Sequence, residues 1–188
     1  MEAKEIILIR HGKPASAVND KMDAAGFARW VRHYNRAGIH HNSRAQTTRE
    51  LEAFYIMSSD LKRARLSAEL YTPHAVRETS ALLREMDIPR YKLKGRFKAW
   101  SWVYLNRAVW LAGKHGPFES FKEAKARVNE AVTLLEQRVA QHGRVAVFGH
   151  GMTNRYLRIY LQQKGWQLIE KNNQFWGVNH LRIEEKAE

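Results

Sequence analysis

Two uninterrupted apolar runs constrain the fold of this chain most strongly. They cover residues 6–9 and 145–148, and each ends in a charged or turn-forming segment. Short runs of this kind are typical of strands that are buried on both faces of a largely parallel sheet, because helices cover such a sheet on both sides. We therefore predict buried strands over residues 5–10 and 145–150.

The segments between these strands alternate in type. Strand patterns occupy residues 54–59, more weakly 76–83, and 179–184, where apolar and polar residues alternate as in an edge strand. Helical spacing of apolar residues predicts helices over 23–37, 61–71, 121–141 and 152–163. The stripe of the third helix consists of Ala124, Val128, Ala131, Val132, Leu135 and Val139. This order predicts an α/β fold, a three-layer sandwich whose mostly parallel central sheet has helices on both faces.

Length and composition limit the class of protein further. The 188 residues contain no repeat or flexible linker, so we predict a single domain over 1–188. The absence of cysteine excludes disulfides and thiolate chemistry. The first apolar run is too short for a signal-peptide core and no segment is long enough to span a bilayer, so we expect a cytoplasmic protein.

The formal net charge of +13 favours anionic partners. Phosphorylated small molecules, nucleic acid and acidic membrane surfaces all fit this charge, and a generally solvated basic surface fits it as well. Charge alone does not choose among them.

Two of the four His-Gly pairs directly follow predicted buried strands. His11 ends the first strand and His150 the last, whereas His115 lies in a polar stretch and His142 follows a long helix, where such a pair is ordinary. Ligands of α/β sheets bind outside the carboxyl ends of the strands, where both pairs would lie. Gly151 also opens a helix whose N–H groups would form an anion cradle.

A third segment points to the same edge of the sheet. The strand at 54–59 leads into SSDLKRARLSAELY (58–71), in which Arg63 would point back toward the strand ends. Helix capping by Ser59 or Asp60 is the simpler explanation of those two residues.

With these motifs the chain resembles the histidine phosphatase superfamily, also called phosphoglycerate mutase-like. The motifs that carry the resemblance are LIRHGKP (8–14), SSDLKRARLSAELY (58–71), LLREMDIP (82–89) and VFGHGMTNRYL (147–157). They occur in the family's order over nearly the whole chain. The resemblance implies that His11 is the nucleophile, that Arg10 and Arg63 bind phosphate, and that His150 is the second histidine of the site.

The proton donor implied by the resemblance is Glu85, with Asp87 as the fallback acid. A solvated loop carboxylate is the ordinary explanation of both. The chain also departs from the family pattern. Lys13-Pro14 follows the RHG of the first motif, where many members have Glu or Gln and then Thr or Ser, and residues 88–91 replace a G-x-W-E-G stretch. The family's mode of substrate recognition therefore does not carry over there.

Phosphoryl transfer requires charge stabilisation on the non-bridging oxygens. Arg10, Arg63 and a protonated His150 would supply that charge, and Gly151 would add backbone contacts, so we expect neither a metal nor another cofactor. His11 would attack as a neutral imidazole and form a phosphohistidine. Glu85 would then protonate the leaving oxygen and deprotonate the attacking water.

Residues 88–118 form a basic and aromatic segment that we predict to be an insertion covering the active-site mouth. It contains FKAWSWVYLNRAVWLAGK (97–114), which fits a helix with aromatic residues in the core. A substrate-facing lid is one alternative, and transient contact of residues 90–114 with an anionic membrane is another. We expect no nucleic-acid partner, because no recognised nucleic-acid motif is present.

Together the residues and the resemblance predict a metal-independent phosphatase that hydrolyses phosphate monoesters of small molecules through His11. A phosphoglycerate mutase-type phosphotransferase and a protein phosphohistidine phosphatase are the nearest alternatives. A non-catalytic binder of anionic ligands or membrane surfaces is the alternative from another class. The sequence does not determine the substrate or the oligomeric state.

Overall fold

The chain alternates between strands and helices, as the sequence pattern predicts. A computed structural model describes residues 3–16 and 18–184. The strands are β1 (Lys4–Arg10), β2 (Lys21–Met22), β3 (Tyr55–Ser59), β4 (Glu78–Ser80), β5 (Phe97–Lys98), β6 (Arg144–Gly149), β7 (Gln167–Lys171) and β8 (Val178–Ile183). The helices are α1 (Ala24–Arg36), α2 (Lys62–Tyr71), α3 (Ala99–Leu111), α4 (Phe121–His142) and α5 (Gly151–Gln163), and a 3₁₀ turn covers Ala81–Leu83.

Six of the strands form the central sheet, in the order β4-β3-β6-β1-β8-β7. The first four of these are parallel neighbours, whereas β8 pairs antiparallel with both β1 and β7. β2 and β5 pair separately as a two-stranded antiparallel ribbon. The predicted three-layer α/β sandwich with a mostly parallel sheet is therefore confirmed.

Apolar side chains cover both faces of the sheet. Ile6 and Leu8 of β1 pack in one core with α4 and α5, while Ile7 and Ile9 pack in a second core that includes Tyr71 of α2. The predicted apolar stripe of α4 is buried along its whole length. These contacts explain why the first strand is an unbroken apolar run.

A third, smaller core joins α3 to α1. Trp102 of α3 is fully buried, its ring stacks on Phe27 of α1 with centroids 5.7 Å apart, and its Nε1 donates to the Met22 carbonyl at 2.8 Å. Tyr34 and Ile88 belong to the same core. The aromatic residues of segment 88–118 thus divide: Trp102 and Trp110 are buried as predicted, and Tyr104 is 73% exposed.

The C-terminal strand β8 is an interior strand, and the prediction of an edge strand is wrong. It lies between β1 and β7, and β7, which the sequence pattern missed, is the edge. Asn179 and His180 are buried, and polar partners offset the cost of their burial. Asn179 Oδ1 accepts from Arg158 at 2.8 Å, and His180 lies 2.7 Å from Glu5. Buried polar residues with such partners have the same sequence pattern as solvent-facing ones.

Two predicted boundaries also change. The weak strand at 76–83 shortens to β4 and the 3₁₀ turn that follows it. The cap of α2 is Leu61, with no side-chain hydrogen bond to the helix, so capping explains neither Ser59 nor Asp60. The Asp60 carboxylate instead accepts from Arg84 Nε at 2.7 Å.

Replacing Trp102 by Ala is expected to lower the free energy of unfolding by about 3–5 kcal/mol, because it leaves a cavity and removes a stacked ring from the α1–α3 core. Tyr104→Ala, on the exposed face of the same helix, is the matched control and should change it by less than about 0.5 kcal/mol. Urea unfolding followed by circular dichroism measures both variants. Equal losses would contradict this placement of α3.

Candidate active site

The register of the central strands brings two distant histidines together. β1 pairs with β6 in parallel so that Arg10 lies opposite Gly149, and the N–H of His11 donates to the Gly149 carbonyl at 3.0 Å. His11 and His150 therefore leave the sheet side by side, with ring centroids 5.0 Å apart. Both are buried at the carboxyl ends of the strands, where the sequence predicts a site.

The loop after β1 is held tightly. The N–H of Gly12 donates to Ser67 Oγ at 2.9 Å, and Ser67 Oγ donates to the Arg63 carbonyl at 2.7 Å. A Cβ at residue 12 would lie 2.3 Å from the Trp176 ring. Glycine is therefore needed here for the close approach of Trp176.

Hydrogen bonding defines which nitrogen of His11 is free to react. Nδ1 lies 2.7 Å from the Gly12 carbonyl, which can only accept, so Nδ1 carries the proton and Nε2 carries the lone pair. Burial, then the neighbouring His150 and Arg63, hold the pKa of His11 well below its ordinary 6.5. The imidazole is thus neutral at physiological pH, as a nucleophile must be.

Arg63 is fully buried beside this nitrogen. Its Nε donates to His11 Nε2 at 3.3 Å, and its Nη1 donates to the backbone carbonyls of Tyr34 and Asn35, each at 3.3 Å. Nη2 has no hydrogen-bond partner among the described residues, and no carboxylate forms an ion pair with the guanidinium there. Burial lowers the pKa of this guanidinium, and the charges of Tyr34 and Glu85 oppose the shift without forming an ion pair. An anionic ligand in direct contact would offset the remaining cost of burying the cation.

Arg10 approaches the same place across the start of α5. A Cβ on Gly151 would lie 3.2 Å from Arg10 Nε, so the glycine leaves room for the guanidinium. Arg10 Nη1 donates to the Asn173 carbonyl at 2.8 Å, and its guanidinium lies 4.2 Å from the centre of the Phe175 ring. Arg10 Nε is buried without a partner in the described part of the chain, which makes it a second unused donor.

His150 differs from the cationic residue that the sequence predicts. Its Nε2 lies 2.9 Å from Ser59 Oγ, and Nδ1 finds no partner among the described residues. Burial, followed by Arg63 and Arg10, holds the pKa of His150 well below 6.5. Without a ligand the ring is neutral, because taking up a proton between two arginines and away from water is unfavourable.

The N–H groups at the start of α5 already have an acceptor. Met152 N–H donates to Glu85 Oε2 at 3.3 Å, and Thr153 N–H donates to Glu85 Oε1 at 3.0 Å. The chain's own carboxylate therefore takes up two N–H groups of the predicted anion cradle, and the phosphate contact expected of Gly151 stays a prediction.

The surroundings of Glu85 favour its ionised form. Burial raises the pKa of the carboxyl, but Arg107, the Thr153 N–H, Arg63 and His11 outweigh it and lower the pKa below its ordinary value. The carboxylate of Asp87, the fallback acid, instead pairs with Arg90 at 3.2 Å and makes no hydrogen bond to the start of α5. The geometry therefore favours Glu85 over Asp87 as the acid of this site.

A cavity of about 420 Å³ reaches the outer part of this site, while the buried His11, Arg63 and His150 are not among its lining residues. Its walls include Arg10, Glu85 and Gly151 on one side and residues of α3 on the other. The α3 residues are Trp100, Val103, Tyr104, Arg107 and Leu111.

The sequence interpretation missed Arg107. The pKa of its guanidinium is lowered by burial, although Glu85 opposes the shift, and its Nη2 donates to the Met86 carbonyl at 2.9 Å. Arg107 is the one charged residue of the otherwise uncharged helix α3, and this pattern was the available signal. Phe175, which contacts Arg10, carried no such signal.

The described residues lack two features that would point to other kinds of function. They contain no group of three or more His, Asp or Glu side chains arranged to hold a metal ion. None of their helices has the length and hydropathy needed to cross a membrane.

Known proteins share these motifs and this fold. The model of the histidine phosphatase superfamily (branch 1) matches residues 6–187. The product of an open reading frame of Mycobacterium tuberculosis aligns with a TM-score of 0.55 and 21% identity, over 82% of this chain and 77% of that chain. No curated protein matches the sequence significantly.

Two other solved structures resemble the chain to a similar degree. A candidate alpha-ribazole-5'-P phosphatase from Escherichia coli has a TM-score of 0.51 and 17% identity, over 85% of this chain and 79% of that chain. Mycobacterial glucosyl-3-phosphoglycerate phosphatase has a TM-score of 0.51 and 18% identity, over 85% and 80%. At these identities the likeness establishes the fold alone.

The free energy of unfolding is expected to fall as the pH is lowered from about 7 to about 5. His11 and His150 have pKa values well below 6.5 in the folded chain, whereas in the unfolded chain each titrates near 6.5. Below that pH the unfolded chain binds protons that the folded chain does not. The loss approaches about 1.4 kcal/mol per pH unit for each histidine.

Urea unfolding at several pH values tests this expectation. The double variant His11→Gln, His150→Gln should show a flatter pH dependence than the unmodified protein. A double variant of the exposed His33 and His115, again to Gln, is the matched control. If the His11, His150 variant kept the full pH dependence, the assignment of two buried neutral imidazoles would be wrong.

Proposed function

Because the chain belongs to the histidine phosphatase superfamily (branch 1), we propose that it is a metal-independent phosphatase that hydrolyses phosphate monoesters of small molecules through a phosphohistidine on His11. Membership of the superfamily supports phosphatase or phosphotransferase activity in general. Hydrolysis, the covalent intermediate and the residue roles are the proposal.

The buried guanidinium of Arg63 carries the proposal. It lies against the reactive nitrogen of His11, it has a free donor, and no carboxylate of the described residues forms an ion pair with it. Arg10 Nε and His150 Nδ1 add two more unused buried nitrogens beside it. A phosphate group would accept from these atoms, and planar guanidinium groups suit its oxygens.

The first step follows from the tautomer of His11. The Nε2 lone pair attacks phosphorus, the bond from phosphorus to the ester oxygen breaks, and that oxygen leaves with the bonding pair. Arg63 then donates its Nε–H hydrogen bond to a phosphate oxygen instead of to His11 Nε2. The 3.3 Å contact with His11 is long and is therefore easily replaced. The Gly12 carbonyl holds Nδ1–H and so stabilises the charged ring that forms.

Glu85 is proposed to protonate the leaving oxygen. Its pKa is lowered in the ligand-free protein, yet a bound phosphate dianion would raise that pKa by repulsion between like charges and favour the protonated form. The same dianion would raise the pKa of His150 and turn it into a cation. In the second step Glu85 accepts a proton from water, whose oxygen displaces His11 from phosphorus.

We also infer that residues 88–118 cover the mouth of this site within a single domain spanning 1–188. The lining of the cavity by five residues of α3 supports this role.

His11→Ala is expected to abolish hydrolysis of p-nitrophenyl phosphate, measured with EDTA present. His115→Ala is the matched control, because it removes the histidine of another His-Gly pair that lies in an exposed loop, and it should keep full activity. Equal activity of the two variants would exclude His11 as the nucleophile. Loss of activity of the unmodified protein in EDTA would exclude a metal-independent reaction.

Glu85→Gln is expected to slow hydrolysis of an alkyl phosphate by about 10²–10⁴-fold, the usual contribution of a general acid. The loss should be smaller for p-nitrophenyl phosphate, whose leaving group needs little protonation. Asp87→Asn removes the neighbouring carboxylate and should leave both rates nearly unchanged. If Asp87→Asn were the variant that discriminated between the two substrates, the acid would be Asp87.

A further inference from the structure

The outer face of α3 is apolar and uncovered. Its exposed positions recur at helical spacing and carry no charge: Ser101, Tyr104, Leu105, Ala108, Leu111 and the capping Ala112. The opposite face is buried in the protein core through Trp102 and Trp110. Arg107 is the single charge of α3, and an exposed helix face without charge is normally covered, so this face lacks a partner within the described part of the chain.

The segment that contains α3 is also strongly basic. Residues 88–118 include no Asp or Glu and seven basic residues: Arg90, Lys92, Lys94, Arg96, Lys98, Arg107 and Lys114. The segment thus contributes +7 of the formal net charge of +13. More than half of the excess charge lies in one sixth of the sequence, and five of the seven basic residues directly precede α3.

These cations are largely unpaired. Within the described residues, the one ion pair of the segment joins Arg90 to Asp87 at 3.2 Å. Lys92, Lys94 and Arg96 are exposed, and Lys98 lies directly opposite Lys21 in the β2–β5 ribbon. Like charges that face each other across two strands are unfavourable, and an external anion would relieve them.

We propose that the outer face of α3 and the basic residues before it form a docking surface for an anionic lipid membrane. Apolar side chains of the helix enter the boundary between headgroups and acyl chains, while the lysines and arginines contact the anionic headgroups. This combination is what an amphipathic interfacial helix requires, here on a helix whose other face is anchored in the protein core.

Charge and shape favour a membrane over other occupants. A second copy of the chain would bring a segment of the same charge against this one. Nucleic acid would supply anions, but its phosphate backbone offers no counterpart for an aliphatic stripe such as Leu105, Ala108 and Leu111. A lipid surface provides both the negative charge and the apolar layer.

Docking would also position the candidate active site. Tyr104 and Leu111 belong to the exposed face and to the wall of the 420 Å³ cavity. The mouth of the cavity would therefore face the lipid surface. The docking itself goes beyond the proposed function and is measurable without any enzymatic activity.

Co-sedimentation with vesicles tests the proposal. The protein is expected to bind vesicles of phosphatidylcholine with about one third phosphatidylglycerol and not vesicles of pure phosphatidylcholine, and binding should weaken as salt is added. Replacing Lys92, Lys94 and Arg96 together by Gln should lower the partition coefficient roughly 100-fold, since each cation contributes about fivefold at such a surface.

The matched control removes the same charge elsewhere. Arg65, Arg77 and Lys171 are exposed and lie outside the segment, and their joint replacement by Gln should leave binding within about twofold. An equal loss in the two triple variants would show that only the overall charge matters and would overturn the proposal. Failure to bind anionic vesicles at low salt would also overturn the proposal. This holds even if the protein self-associates or binds an acidic protein instead.

A third variant separates the apolar contribution from charge. Leu105→Gln, Ala108→Gln keeps the net charge, and neither residue lines the cavity; it should weaken vesicle binding about tenfold while hydrolysis of p-nitrophenyl phosphate stays unchanged. Unchanged binding would rule out the helix as the inserting element. Vesicle binding by a protein without phosphatase activity would support docking and contradict only the proposed function.

Discussion

The parallel pairing of β1 with β6 is the constraint on which the candidate site depends. Its register places Arg10 opposite Gly149, so the next residues, His11 and His150, emerge together from the same edge of the sheet. β3 pairs with the other side of β6 and delivers Ser59 to His150. A shift of one residue in any of these strands would turn the site residues to the other face of the sheet.

Charge balance at that edge explains the protonation states. Two arginines surround two buried imidazoles, and both rings are held neutral, whereas the nearby carboxylate of Glu85 is held ionised by Arg107 and the start of α5. A bound dianion would act on all of these groups at once. In the proposed mechanism, substrate binding therefore favours the protonated form of Glu85 and the cationic form of His150. It leaves Nε2 of His11 free to attack phosphorus.

Helix α3 contributes to the core, to the cavity wall and to the surface of the molecule. Its inner face completes the core with α1, Arg107 and its neighbours form the cavity wall, and its outer face is exposed and uncharged. The low polarity of this helix thus has two causes, since one face is buried and the other is proposed to meet lipid. Its single charged residue, Arg107, lies at the cavity.

The sequence by itself determined the layers of the fold and the edge of the sheet at which the residues of the candidate site meet. Burial on two faces requires unbroken apolar strands, one-sided burial requires the stripe of α4, and strand-ending motifs must meet at one edge of a parallel sheet. Only the tertiary structure decided that β8 is interior, that the start of α5 holds Glu85, and that His150 is neutral without ligand. These depend on which partners satisfy buried polar and charged groups, and such partners come from distant parts of the chain that no local pattern records.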